Sequence, residues 1–259
     1  MSNKVHLQKD EGIAIVTIDN PPLNVLNQEV ASELSKVFQQ IEVDSEVIVA
    51  ILTGEGSKAF MAGADIKEFP NWIKNQAIHE PVQRNHHLFH QIESMSKPVI
   101  ALLNGITLGG GCELALTCDL RIAEEHVQIG LPEITLGIFP GAGGTQRLPR
   151  LIGIPRAKEL MLTGEPISAK TAAQWGLINQ VVPTGKGKET ALTWAKKISS
   201  YSLNAISAIK KLTNQSVDVS LDKGIQDEAT LFEQILQTED AQEGINAFIE
   251  KRKPHFKHR

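Results

Sequence analysis

The sequence predicts an α/β fold followed by a helical C-terminal region, and three observations carry that prediction. Short runs rich in β-branched residues alternate with longer amphipathic stretches over the first two thirds of the chain. From about Pro155 onward the pattern is almost wholly helical. The chain's 259 residues are enough to bury a sizeable core. Strands alternating with helices imply parallel pairing through helical crossovers.

The first strand signal is Ile13 to Ile18. An amphipathic helix follows from about Asn27 to Ile41, with Val30, Leu34, Val37, Phe38 and Ile41 on one face. Val47 to Leu52 is the next strand, and a second helical stretch runs from about Ala77 to Met95. It leads into the apolar run Pro98 to Leu103, which ends at Asn104-Gly105. In the helical last third only Ile178 to Val182 reads as a strand, before the linker Pro183-Thr184-Gly185-Lys186-Gly187. We expect residues 1–187 to form the core that carries the site, and 188–259 to form a helical region used for packing or assembly. No fixed-period repeat and no low-complexity segment is present.

A composition of 41% hydrophobic and 22% charged residues is that of an ordinary globular protein. The net charge of -4 offers no electrostatic invitation to nucleic acid. Cys112 and Cys118 lie six apart in an apolar segment, a spacing that suits neither a zinc pair nor a redox motif. They read as core thiols in a reducing compartment. Met1-Ser2-Asn3-Lys4-Val5-His6 leads into strand-like alternation rather than an apolar signal core, and no apolar run approaches membrane-spanning length. A cytoplasmic protein is expected.

Two glutamates stand in unusual settings. Glu113 follows the triplet Gly109-Gly110-Gly111 and opens the apolar run Glu113-Leu114-Ala115-Leu116, a costly place for a carboxylate. Helical side chains lean toward the N-terminus, so Glu113 is expected to reach back over the turn where Gly110 offers an unpaired N–H. That N–H also lies at the positive end of a helix, suited to developing negative charge. Three glycines in a row at a helix mouth suggest that something large approaches there. Glu133, in Gly130-Leu131-Pro132-Glu133, supplies a second carboxylate from a separate loop. Proline followed by glutamate also reads as an ordinary helix start. A pair of carboxyls in different environments is what moving one proton on and another off requires.

Other motifs are weaker. In Gly63-Ala64-Asp65-Ile66-Lys67-Glu68, Asp65 reads as an N-cap with Glu68 three residues on. The small residues before it would let the Ala64 N–H meet an oxyanion. Phe139-Pro140-Gly141-Ala142-Gly143-Gly144-Thr145-Gln146-Arg147 approaches a dinucleotide loop, but Gln146 stands where its third glycine belongs. His86 and His90 have the spacing of a metal pair, yet no further ligand is evident and no metal is expected. Lys251-Arg252-Lys253 reads as a solvated tail or as a contact for a polyanion.

Taken together, these segments resemble the crotonase superfamily, and most closely its enoyl-CoA hydratases. The matching stretches are Ala59 to Glu68, Lys97 through Asn104-Gly105 to Asp119, Leu131-Pro132-Glu133-Ile134 through Leu148, Leu162-Thr163-Gly164, and Glu243-Gly244-Ile245 to Lys253. The resemblance implies a ββα spiral core with a C-terminal helical assembly region that forms homotrimers or homohexamers. It implies that the amides of Ala64 and Gly110 form an oxyanion hole for a thioester carbonyl. Glu113 and Glu133, 20 residues apart as in hydratases, would handle the water. An amide near Gly141 would help hold that water, and Ala62, Asp65, Ile66, Lys67 and Lys251 would lie near the CoA moiety. The implied partner is an acyl-CoA thioester, with no cofactor, nucleic acid or membrane. The implied reaction is hydration of a 2-trans-enoyl-CoA in fatty acid β-oxidation or related catabolism. An enoyl-CoA isomerase, a branched-chain acyl-CoA hydratase and an RNA-binding relative are the alternatives. Isomerases of the family generally lack an acid at the position of Glu113, which favours the hydratase.

Overall fold

The computed structural model describes residues 3–258, so that Met1, Ser2 and Arg259 lie outside the described residues. Ten strands are present among them: β1 (Val5–Asp10), β2 (Ile13–Ile18), β3 (Val49–Gly54), β4 (Ala59–Met61), β5 (Val99–Leu103), β6 (Ile106–Leu108), β7 (Leu120–Glu124), β8 (Gln128–Gly130), β9 (Ile167–Ser168) and β10 (Gln180–Val182). They form two sheets, a six-stranded one in the order β1-β2-β3-β5-β7-β10 and a four-stranded one in the order β4-β6-β8-β9. Successive strand pairs β3/β4, β5/β6 and β7/β8 each give one strand to each sheet before the chain turns into helix. This is the ββα spiral.

The larger sheet is parallel from β2 to β10, as strand–helix alternation predicts. Its edge departs from that expectation, because β1 pairs antiparallel with β2. Glu11-Gly12 turns the chain too tightly for a crossover, with both residues at positive φ (46° and 81°). The central strands β3 and β5 are buried on both faces, which is why they read as unbroken apolar runs. Alternate residues of β3 serve opposite layers. Ala50 and Leu52 join the main core with Phe38 and Phe89, whereas Val49 and Ile51 pack with Ala191 and Ala195 of the helix Gly187–Ser199.

Helix Gln28–Val43 starts at Asn27, whose side chain accepts from the Val30 N–H at 2.9 Å. Its buried residues Val30, Leu34, Phe38 and Ile41 are the face expected from the sequence. In the C-terminal region, helix Leu203–Gln215 is tied to the core by buried Lys210, whose Nζ lies 2.8 Å from Asp119 Oδ2. The next helix, Leu221–Leu236, buries none of its residues, and Leu221, Ile225 and Phe232 are exposed on it.

The short helix Gly110–Leu116 packs its first turn onto β4. A Cβ at Gly111 would lie 1.9 Å from the Met61 carbonyl oxygen. Backbone contact, rather than a ligand, therefore accounts for this member of the glycine triplet. Gly111→Ala is expected to cost about 2–3 kcal/mol by forcing the helix off the strand. An unchanged thermal melting curve for that variant would mean the contact is not as tight as described.

Candidate active site

Four backbone segments converge at the mouth of helix Gly110–Leu116. The first is Gly63-Ala64. Leu26 donates to Gly63 O and accepts from Asp65 N, both at 2.8 Å, in an isolated parallel bridge centred on Ala64. In that pattern the Ala64 N–H points away from Leu26. Among the described residues it has no hydrogen-bond partner. The second segment is Gly109-Gly110. Gly110 is the first residue of its helix, so its N–H is one of those the helix leaves unpaired, and it too has no partner here. A Cβ built on Gly110 would touch Ala64 N at 3.4 Å, which brings the two free amides side by side.

Glu133 closes one side of the site. It stands in a 3-10 turn, Pro132–Leu136, so the reading of Pro132-Glu133 as a helix start holds for a short turn only. Its Oε1 lies 2.9 Å from where a Cβ on Gly109 would be, and Gly109 has φ 52° and ψ −127°. Only glycine satisfies both demands. Glu133 Oε2 is buried and has no hydrogen-bond partner. Burial pushes the Glu133 carboxyl up to about 7, against the pull of its own backbone N–H, and the nearby charge of Glu113 adds to the rise.

Glu113 closes the other side. It is only 2% exposed, on a helix buried throughout. The sequence places its carboxylate over the Gly110 turn, but the donors it finds are elsewhere. Oε1 accepts from Ala142 N at 2.7 Å and from Gly144 N at 2.8 Å. Both bonds fall on one oxygen, which leaves Oε2 for another partner. Burial raises the Glu113 pKa, while the Gly144 and Ala142 amides, Arg147 and His86 all pull it down. The two acids are therefore unlike. One is backed by two N–H donors that favour its charged form, and the other has a buried oxygen with none.

The structure brings Ala64, Gly110, Glu113 and Glu133 together as the sequence predicts. Gly141 is exposed on the loop that serves Glu113, but the engaged amides are those of Ala142 and Gly144. Sequence reading overlooked these two, although the glycine density of the loop was their signal. Asp65 does cap, accepting from Lys67 N at 3.1 Å, yet what it caps is the 3-10 turn Ile66–Glu68. Glu68 does not close a capping box, since its Oε1 accepts from Gln28 N at 3.4 Å. Ala62 lies beside the site, and Ile66 and Lys67 are exposed just beyond it. Lys251 is exposed just past the end of helix Glu239–Ile249, where its N–H donates to Phe248 O at 3.2 Å, and among the described residues no hydrogen bond or ion pair joins it to the Ile66–Glu68 turn. Cys112 and Cys118 are buried free thiols whose pKa burial pushes up. Among the described residues no cluster of three His, Cys, Asp or Glu is placed to hold a metal ion, and no helix is long and apolar enough to cross a membrane.

Fold and site together define a ββα-spiral protein with two free main-chain N–H groups beside one buried and one half-buried carboxyl. The chain belongs to the enoyl-CoA hydratase/isomerase family, whose model matches residues 8–259. It is 42% identical to a short-chain-enoyl-CoA hydratase of Clostridium acetobutylicum, over 97% of this chain and 96% of that protein. It is 41% identical to a crotonyl-CoA hydratase of Syntrophomonas wolfei, over 96% of each. The crystal structure of an enoyl-CoA hydratase from Bacillus anthracis superposes with a TM-score of 0.95 at 41% identity, covering 99% of this chain and all (100%) of the other.

Proposed function

We propose that the protein is an enoyl-CoA hydratase, a hydro-lyase that adds water reversibly to a 2-trans-enoyl-CoA to give the 3-hydroxyacyl-CoA. The observation that carries this reading is the contrast between the two acids: Glu113 held by two amides on one oxygen, and Glu133 raised to about 7 with a buried, unpartnered Oε2. One ionised and one protonated carboxyl at neutral pH is the state hydration needs.

The thioester oxygen sits on the Ala64 and Gly110 amides. Glu113 Oε2 takes a proton from water as the water oxygen bonds to Cβ. The C=C electron pair moves toward the thioester, and the charge that grows on its oxygen is met by two preorganised N–H dipoles. Glu133 delivers its proton to Cα. Glu113 ends protonated and Glu133 ionised, and exchange with solvent resets the pair. The dehydration direction uses the opposite protonation states.

CoA belongs to the substrate in this mechanism and no other cofactor is used. Its polyanionic portion would lie along half-buried Ala62 and Asp65 and exposed Ile66 and Lys67, with the Lys251 ammonium as a further contact. Lys251→Ala is expected to weaken acyl-CoA binding about threefold with kcat unchanged, in keeping with an exposed charge. Calorimetric titration giving the same Kd would remove Lys251 from the CoA site. The apolar residues exposed on Leu221–Leu236, together with Phe248 and Ile249, suit burial against further copies of the chain in a trimer or hexamer. The reading places the enzyme in the cytoplasm, in fatty acid β-oxidation or related acyl-CoA catabolism. The acidic balance of the chain favours this over an RNA-binding role.

Loss of enoyl absorbance on a panel of 2-trans-enoyl-CoA thioesters, varied in length and branching, tests the assignment. Turnover of at least one straight-chain member is expected, and inertness toward the whole panel would overturn it.

A further inference from the structure

The loop that holds Glu113 has a support of its own. Arg147, in the helix Gly144–Ile152, sends Nε and Nη2 to Glu93 Oε1 and Oε2 at 2.9 and 2.8 Å. Its Nη1 donates to the Ala142 carbonyl at 3.1 Å. A planar guanidinium reaches all three acceptors at once, which a lysine ammonium does not. Gly143 is moulded to this fork: its φ is 109°, and a Cβ there would lie 2.0 Å from Arg147 Nη1. The carbonyl that Arg147 grips is thus flanked by the two amides that bind Glu113.

Behind the loop lies a cavity of about 800 Å³, lined by His86, His90, Glu93, Gly143 and Arg147 among others. Glu93 belongs to helix His79–Ser94, and its carbonyl accepts from Asn214 Nδ2 of helix Leu203–Gln215 at 3.3 Å. The fork therefore joins the loop to an element rooted in the core through Leu88, Phe89 and Ile92. The chemistry described above uses neither Glu93 nor Arg147.

We propose that Glu93 and Arg147 form a positioning clamp, which holds the Ala142–Gly143 peptide so that the Ala142 and Gly144 N–H groups are aimed at Glu113. The clamp sets the direction of the Glu113 carboxylate and its readiness to take a proton from water. It rests on the hydratase reading for its effect on turnover, but not for its effect on Glu113 itself. The groups facing Glu113 are Arg147 and His86, which favour its charged form, with Glu133 across the site and the neutral thiol of Cys112 beside it.

Arg147→Lys keeps a positive charge near Glu113 and removes the fork. It is expected to lower kcat about tenfold with KM within about twofold, as a small misplacement of a reacting group does. The acidic limb of the kcat–pH profile should move to higher pH. Glu93→Gln, which weakens the other end of the fork, should shift both readouts in the same direction by less, and it stands in if Arg147→Lys does not fold. Wild-type kcat and an unmoved acidic limb in a folded Arg147→Lys would overturn the clamp. Titration of the Glu113 carboxyl by NMR on isotope-labelled protein reads it without substrate: a higher pKa in Arg147→Lys is expected, and no change overturns the clamp. A wild-type protein that hydrates no enoyl-CoA would sink the hydratase reading alone and leave this titration to decide the clamp.

Discussion

Glu133→Gln should lower hydration by at least about a hundredfold and, at the same time, make the protein more resistant to heat at pH 8. The loss follows from removing the proton donor to Cα, since a positioned general acid contributes about a hundredfold or more. The gain follows from where the carboxyl sits. Folding raises its pKa from 4.5 to about 7, chiefly by burial. Between those values the native chain holds a proton that the unfolded chain has lost, so stability declines as pH rises through this window. Below about 4.5 both states are protonated and the decline is absent. Glutamine mimics the protonated form at every pH, so wild type and variant should melt together near pH 4.5 and diverge by pH 8. With the partial exposure of Glu133 discounted, the divergence is roughly 1 kcal/mol, or about 3 °C. Equal melting at pH 8 would mean that the carboxyl is not raised. The same ionisation sets the catalytic profile: both directions need one proton on the pair of acids, so hydration and dehydration should both fall as pH rises past about 7.

Glu113→Gln is expected to be equally slow, for a different reason. A glutamine oxygen still accepts from Ala142 and Gly144, so the site keeps its shape, but the –NH2 that replaces Oε2 takes no proton from water. A loss of at least about a hundredfold in kcat is expected with little change in KM. Because the two carboxyls serve a single addition step, one at the water and one at Cα, the double variant should be hardly slower than either single one. Near-normal kcat in Glu113→Gln would remove this residue from the mechanism, and full multiplication of the two losses would show that the acids act independently.

Much of the site was legible because its residues break the local pattern. A glutamate inside an apolar helix and a glycine triplet before it are hard to reconcile with packing alone, and both mark the site. Even so, the triplet has a partly structural cause, since Gly111 yields to the Met61 backbone and Gly109 to Glu133. The larger sheet was legible in part, through the β-branched runs on β2 and β3, the apolar run on β5 and the short run at β10, whereas β7, with Arg121 and Glu124 in it, was not read as a strand. The smaller sheet was not, because three-residue strands such as Ala59–Met61 and Ile106–Leu108 are too short to display alternation. The antiparallel β1 depends on a two-residue turn. The amides of Ala142 and Gly144 carry no side-chain signature, and their use depends on the fold bringing their loop to a glutamate 29 and 31 residues away. Arg147 figures in the sequence only as the end of the glycine-rich stretch Phe139 to Arg147, with nothing to mark its reach to Glu93.

The most direct measurement is a crystal structure with a 3-hydroxyacyl-CoA bound. The account predicts a thioester oxygen within about 3 Å of both Ala64 N and Gly110 N, and a 3-hydroxyl within the same reach of the Glu113 and Glu133 carboxyls. A hydroxyl directed away from both acids, or a thioester oxygen that meets neither amide, would contradict it.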